Sequence, residues 1–498
     1  NVMSNPSVKL SWRILLLSTL AFMICFSAWM INGVLVTFLV EQGVFKWSPI
    51  QIGWLLGIPV LVGSIFRLPV GILTDKYGGR WIMTIILVFS AIPMFFLSQA
   101  NSFLSFILLS FGFGLAGTSF AAGVAYSSLW FPKEQQGTAL GIFGAGNVGA
   151  ALTTFFAPSI LNNLTNYGAN IEGWRSLPKL YAALLLVTAI IFLLATKNKL
   201  PAASKTMLQR LLPLKETRVW RFGLYYFFVF GGFVALSQWL IPYYVNVYSL
   251  TIVAAGFMAA AFSLPAGLFR AAGGWLSDKV GARMVLLWIL GISLVCMVFL
   301  FIPRMEIQAP GQGVMAGKSG TVRSVNANEI IVGNDTYLLQ SKAGNSSEVA
   351  IRFGIHHDKE GFLFLPTTTY HQGPKVRVGD EVTKGDLLAK GVTLIYFQAN
   401  KWIFSVLVFI IGIMMGLGGA AVFKHISDYY PSNIGTVGGI VGVLGGLGGF
   451  FGPLVFGYLL KSTGIWTSCW MFLAVLVVIC IVLQRTAIRA VTKKSSAI

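Results

Sequence analysis

The sequence predicts an all-α membrane protein: twelve transmembrane helices in two pseudo-symmetric six-helix bundles, with a small inserted β domain. Three observations predict it. The 498 residues are 56% hydrophobic and only 10% charged, with a mean hydropathy of +0.77, whereas soluble domains carry about 25% charged residues. Apolar runs of the length needed to cross a bilayer, about 20 residues, recur along the chain. One fourteen-residue string occurs twice, in equivalent places of two halves. A soluble enzyme, a disulfide scaffold and a disordered chain are excluded by these features.

Taken in order, the runs fall near 12–40, 49–73, 80–99, 102–130, 136–161 and 178–196, then 220–246, 252–276, 282–303, 402–428, 432–460 and 465–485. The first is too long for the apolar core of a cleavable signal peptide and is expected to remain as a span. Residues 1–200 make the expected N-terminal bundle, and 220–303 with 401–498 the C-terminal one. The segment 201–219 is expected as a cytoplasmic linker, because the stretch from Lys197 to Arg221 sets seven basic residues against one acid, Glu216. Lys76, Arg80, Lys133, Lys279, Arg283 and Lys424 fall on the same side, as does the tail with Arg485, Arg489, Lys493 and Lys494. Both termini are therefore expected on the cytoplasmic face of a cell inner membrane. These loops account for the formal net charge of +20, so no nucleic-acid partner is expected. The four cysteines lie in apolar runs without metal-ligand spacing and read as packing residues.

The repeat relates the two halves. Arg67-Leu-Pro-Val-Gly-Ile-Leu-Thr-Asp75-Lys-Tyr-Gly-Gly-Arg80 closes the second run, and Arg270-Ala-Ala-Gly-Gly-Trp-Leu-Ser-Asp278-Lys-Val-Gly-Ala-Arg283 closes the eighth. Arg, Gly, Leu, Asp, Lys, Gly and Arg coincide. Two parallel six-helix repeats are the plan of a rocking transporter. The shared G-x-L-x-D-K-x-G-x-R resembles the cytoplasmic signature of the major facilitator superfamily. That resemblance implies gating roles for Asp75, Arg80, Asp278 and Arg283.

Residues 304–400 interrupt the last third and are expected outside the cytoplasm. They hold nine of the sixteen acids, with Gly/Pro turns and alternating stretches such as Thr321-Val-Arg-Ser-Val325. The run from Lys375 to Gly391 resembles the hammerhead turns of biotinyl/lipoyl barrels, and still more a sandwich-barrel module of the bacterial RNA polymerase β subunit. The likeness is one of fold. No acceptor lysine stands in a Met-Lys-Met or Asp-Lys-Ala tip, so attached biotin or lipoate is not expected. His356-His357-Asp358 with His371 could ligate a metal, but loop histidines are more often simply solvated, and neither metal nor cofactor is expected. A protein partner of this domain is the remaining partner expectation.

Arg67 and Arg270 carry the chemistry. Each lies eight residues from its motif aspartate, roughly 12 Å along a helix. An arginine at the bilayer centre costs about 3 kcal/mol unless it is paired or lines a wet cavity. No carboxylate occurs at that depth, because the seven acids outside the insert sit at span ends or in loops. Two symmetric guanidiniums without counter-ions imply a mobile anion between them, and a guanidinium forks onto planar oxyanions. The competing expectation is that each snorkels or donates to backbone carbonyls.

Glycine supplies a second signal. Span five reads Gly137-Thr-Ala-Leu-Gly141-Ile-Phe-Gly144-Ala-Gly146-Asn147-Val-Gly149, and span eleven places ten glycines between Gly435 and Gly457. With Phe131-Pro-Lys-Glu-Gln-Gln-Gly137, these strings resemble the nitrate/nitrite porter family of the major facilitator superfamily. The resemblance implies an anion clamp of Arg67 and Arg270, with Asn147 and Gly144 from span five. It also implies Tyr226 and Phe230 from span seven, Phe26 from span one and Phe120 from span four. In span ten the match is poor. The implied function is transport of nitrate and nitrite by alternating access, in a lipid bilayer and without catalysis. No Asp, Glu or His is read at mid-membrane, which favours nitrate/nitrite exchange over proton symport. The alternatives are an exchanger or proton symporter of another small oxyanion or carboxylate, and a non-transporting assembly protein using the insert.

Overall fold

The structure, a computed structural model, describes residues 6–132, 139–140, 142–200, 212–302, 305–343, 367–396, 400–430 and 434–495. The His356-His357-Asp358 run, Pro303-Arg304, Lys205, Arg210 and the Lys133–Gly137 stretch lie outside the described residues. The chain forms two compact units: Asn1–Asn246 with Leu250–Val298 and Leu407–Ile498, and Val247–Ser249 with Phe299–Val406.

Among the described residues of the chain, ten helices are long and apolar enough to cross a membrane, and a bent pair makes an eleventh. They run Lys9–Glu41, the pair Pro49–Ile65 and Arg67–Tyr77, Gly79–Leu97, Phe103–Ser128, Ile171–Ala195, Thr217–Tyr248, Ile252–Arg270, Ala282–Phe301, Lys401–Tyr429, Val437–Thr463 and Ser468–Ala487. These correspond to the expected spans one to four and six to twelve. The expected span five is helical at 139–140 and 142–144, tightens to a 3-10 turn at Ala145–Val148 and continues as the helix Gly149–Leu164. Spans three, six and nine turn apolar stripes outward: Trp81, Ile85, Phe89, Ile92 and Phe96 recur at helical spacing on span three, all exposed. Exposed apolar stripes on membrane spans face lipid. Span seven is the most buried of the ten unbroken spans.

Proline and glycine shape the spans around the centre. Pro59 lies inside span two and has no N–H, so the Leu55 carbonyl four residues earlier loses its helical donor. The buried Asn32 side chain supplies one, donating to Leu55 O at 2.7 Å. Span two then bends by 41° between Ile65 and Arg67. The two halves meet at close approaches. A Cβ at Gly53 of span two would lie 2.5 Å from Pro453 O of span eleven, and one at Gly256 of span eight 2.2 Å from Thr154 O of span five. Only glycine admits such backbone contact. Both contacts lie near the ends where spans two and eight begin.

The second unit contains two four-stranded sheets. β1 (Met305–Met315), β5 (Ser341–Ala343), β6 (Thr367–Pro374) and β8 (Leu387–Tyr396) form one in the order β1-β8-β6-β5. β2 (Gly320–Val325), β3 (Glu329–Val332), β4 (Asp335–Leu338) and β7 (Glu381–Val382) form the other in the order β4-β3-β2-β7. Val322, Ile330, Val332, Val382, Leu388 and Ala389 make a buried core. The two Gly-Asp turns share one design. Gly379 and Gly385 take φ of +94° and +93°. Asp380 Oδ2 accepts the Arg377 N–H at 2.8 Å, and Asp386 Oδ2 accepts the Thr383 N–H at 2.7 Å and its hydroxyl at 2.9 Å. These bonds hold the Asp386 carboxyl below its ordinary range. Among the described residues no cluster of three His, Cys, Asp or Glu could hold a metal.

Candidate functional site

Arg67 begins the second half of span two, directly after the bend at Phe66. Its side chain is buried, at 5% exposure. Nη1 donates to the Gly442 carbonyl of span eleven at 2.8 Å, while Nε has no partner. Span eleven makes room for it with glycine: a Cβ at Gly446 would stand 3.5 Å from Nη1. Three rings surround the guanidinium, with centroids 5.4 Å away for Phe120, 5.4 Å for Phe230 and 6.0 Å for Trp29.

Arg270 sits on the continuous helix Ile252–Val280. Nη2 donates to Tyr226 Oη at 2.9 Å, and the rings of Phe120 and Phe423 each lie 5.9 Å from its carbon centre. Gly144 and Gly419 face this side chain, with would-be Cβ atoms 3.8 and 3.7 Å from it. Phe120 therefore faces both guanidiniums. A second connection runs through span seven: Tyr226 stacks on Phe230 at 5.0 Å and 3° between planes. Neither arginine makes a salt bridge among the described residues, and no carboxylate stands in the site.

The helices that carry these groups depart from α geometry where they do so. Span four is 3-10 at Gly114–Thr118, just before Phe120, and span five is 3-10 at Ala145–Val148, around Asn147. Span seven holds a π turn at Phe227–Gly231, which carries Phe230 and follows Tyr226. Span one breaks at Met30, next to Trp29. Turns of this kind recur at functional sites because they re-aim side chains and free backbone groups.

The structure brings together six of the eight expected binding residues: Arg67, Arg270, Phe120, Tyr226, Phe230 and Gly144. Asn147 is buried near them, with Oδ1 unpartnered, and its backbone lies against Gly267 of span eight. Phe26 stands further back, its ring on Phe22 at 5.6 Å and Trp29 at 5.3 Å. It is Trp29, one turn on, that faces Arg67. Its indole Nε1 donates to Pro59 O at 2.7 Å, and Gly63 and Gly117 leave space for its ring. Trp29 and Phe423 were not read from the sequence. Matching Gly114-Leu-Ala-Gly117 of span four to Gly416-Leu-Gly-Gly419 of span ten sets Phe423 one position past the counterpart of Phe120, a signal that could have pointed to it.

The expected gating residues sit at the span ends. Lys424 of span ten bridges Asp278 at 2.9 Å and Asp428 at 3.5 Å. Arg80 donates twice to Leu193 O at the end of span six, at 2.7 and 3.0 Å. Arg283 lies over the Tyr429 ring at 5.4 Å, and Asp75 is half-buried in the last turns of Arg67–Tyr77. The contacts seen for Arg80, Asp278 and Arg283 each fall within one half.

The sequence pattern of the Major Facilitator Superfamily matches residues 17–316 and 387–497. A protein of Thermus thermophilus described as a probable nitrate/nitrite antiporter is 37% identical over 459 residues, covering 91% of this chain and 86% of that one. The nitrite extrusion protein of Bacillus subtilis is 32% identical over 274 residues, 54% of this chain and 67% of its own length. Among solved structures, a bacterial homologue of the human lysosomal transporter Spinster, inward-facing and occupied, matches with a TM-score of 0.63 at 15% identity over 98% of both chains. By its matched spans, its repeat and these relatives, the chain belongs to the Major Facilitator Superfamily.

Proposed function

We propose that the protein carries nitrate and nitrite across the membrane by alternating access, as an exchanger. One observation carries this reading: two guanidiniums from the two halves face one shared phenylalanine ring, with no carboxylate among the described residues to neutralise them. A flat, weakly hydrated anion fits between aromatic faces while guanidinium edges take its oxygens, and a tetrahedral anion does not. The relatives named for nitrate and nitrite support the same substrates. Arg67 and Arg270 are the clamp; Tyr226 orients Arg270; Trp29, Phe120, Phe230 and Phe423 wall the anion, with Asn147 and Gly144 beside it.

Access follows from the same helices. Gly274 lies one turn beyond Arg270, and Gly439 one turn before Gly442; a Cβ at either would meet nothing within 4 Å. The faces bearing the clamp are thus open toward the ends where the basic residues gather, while the opposite ends are locked glycine to backbone. In our reading the basic ends are cytoplasmic, both termini with them, and the insert is extracytoplasmic. Asp75, Arg80, Asp278 and Arg283 are then the cytoplasmic gate.

Counterflow in proteoliposomes tests the function. Labelled nitrate should enter vesicles preloaded with nitrite, at a rate unaffected by an imposed pH gradient. Proton-driven accumulation of nitrate without a counter-anion would establish symport instead.

A further inference from the structure

The ends of spans seven, nine, ten and twelve line a partly open pocket of about 60 Å³, separate from the clamp. Arg218, Arg221, Arg283, His425 and Gln484 line it, and no carboxylate does among the described residues. Two of the three guanidiniums lie over the Tyr429 ring, Arg218 at 4.3 Å and Arg283 at 5.4 Å, so their edges remain free to donate. His425 is buried at 5% exposure, and its Nε2 has no partner. Arg221 Nε likewise has none. Gln484, 3% exposed, donates its amide N–H to the Arg283 carbonyl at 2.7 Å, while its Oε1, an acceptor, has no partner. The nearby acids are engaged elsewhere: Glu216 accepts the Tyr430 hydroxyl, and Asp428 lies 3.5 Å from Lys424.

Uncompensated cations and buried unpartnered polar atoms are costly unless a ligand supplies what they lack. For the three guanidiniums the lacking partner is an anion. The donors come from the ends of four different helices, so they approach the pocket from several sides, which suits a tetrahedral oxyanion better than a flat one. The cavity also sits among the chain's basic span ends, where acidic headgroups collect. We propose that it is a binding site for a phosphate group, whether the phosphodiester of an anionic lipid headgroup or inorganic phosphate. The proposal goes beyond the nitrate reading and does not depend on it.

The test uses the full chain, purified in neutral detergent, and follows thermal unfolding. The probes are inorganic phosphate, short-chain phosphatidylglycerol, and short-chain phosphatidylcholine as the uncharged-headgroup control. At least one phosphate-bearing anionic probe should stabilise the protein, with its apparent affinity at least tenfold weaker in Arg221→Gln and in His425→Gln. Stabilisation by phosphatidylglycerol alone identifies a lipid site, and stabilisation by inorganic phosphate at least as strong identifies a soluble ligand. Stabilisation by nitrate, which reads the Arg67/Arg270 clamp, should be unchanged in both variants; if nitrate stabilises nothing, the clamp reading fails and the phosphate result still stands. Should Arg221→Gln not fold, Arg218→Gln serves in its place. No stabilisation by either anionic probe, an equal effect of phosphatidylcholine, or full retention in the variants would overturn the proposal.

Discussion

Tyr226→Phe isolates how the clamp is held. The substitution removes one oxygen, the acceptor of the 2.9 Å bond from Arg270 Nη2. It leaves the ring stacked on Phe230 at 5.0 Å and edge-on to Phe423 at 5.2 Å. A hydrogen bond to a charged group contributes about 1.5–3 kcal/mol, but Arg270 is half-buried and recovers part of that from water. What is not recovered is preorganisation. A freed arginine regains up to about 2 kcal/mol of rotamer entropy, which nitrate must then take away again on binding. The net loss is about 1–2 kcal/mol, or roughly 5- to 30-fold in apparent affinity. The assay is the half-saturation concentration for nitrate counterflow in proteoliposomes, with thermal unfolding to show that the variant is intact. Half-saturation within twofold of the parent, or tighter, would mean that the hydroxyl does not position Arg270 for the anion.

Arg67→Lys and Arg270→Lys should each remove nearly all counterflow while the protein still folds, since lysine keeps the charge and loses the planar fork; wild-type exchange by both variants would dismiss the clamp. Replacing 305–399 with a short Gly/Ser linker should leave apparent nitrate affinity unchanged, because the clamp draws only on the spans; lost binding in a folded variant would put the insert in the substrate path. Asp386 has a depressed folded-state pKa, so its contribution is present above the unfolded-state carboxylate pKa and lost as pH falls through the lower folded value. Asp386→Asn should therefore flatten the acid limb of the insert's pH–stability curve, measured by near-ultraviolet circular dichroism of the whole chain; an unchanged limb counts against the turn as its source.

The two arginines were legible because guanidinium in an apolar run is an anomaly, and the repeat doubled the signal. The aromatic walls were not, since 39 phenylalanines and 14 tryptophans make any one of them ordinary. Phe26 and Trp29 show the limit: three residues apart, they share a helix face, and only the Pro59 carbonyl that anchors the indole decides which ring meets Arg67. The competing expectation of carbonyl contacts also holds in part, since Arg67 donates to Gly442. Span five kept its expected place, but the 3-10 turn that its glycines allow at Ala145–Val148 could not be read from the apolar run. His425 went unread because it lies in the last turns of span ten, below mid-membrane depth, and only packing reveals that it is buried.

The irregular turns at Gly114–Thr118, Ala145–Val148 and Phe227–Gly231 carry a consequence for solvent. Each disturbs the regular amide-to-carbonyl ladder, and a disturbed ladder survives at membrane depth only against protein or water. Lipid cannot satisfy it. These turns must therefore be kept from lipid, against neighbouring spans or along a wet path between the two halves. Amide exchange should be faster at these turns than on the regular helix to either side, so that a map of deuterium uptake would show whether water reaches the level of the proposed clamp.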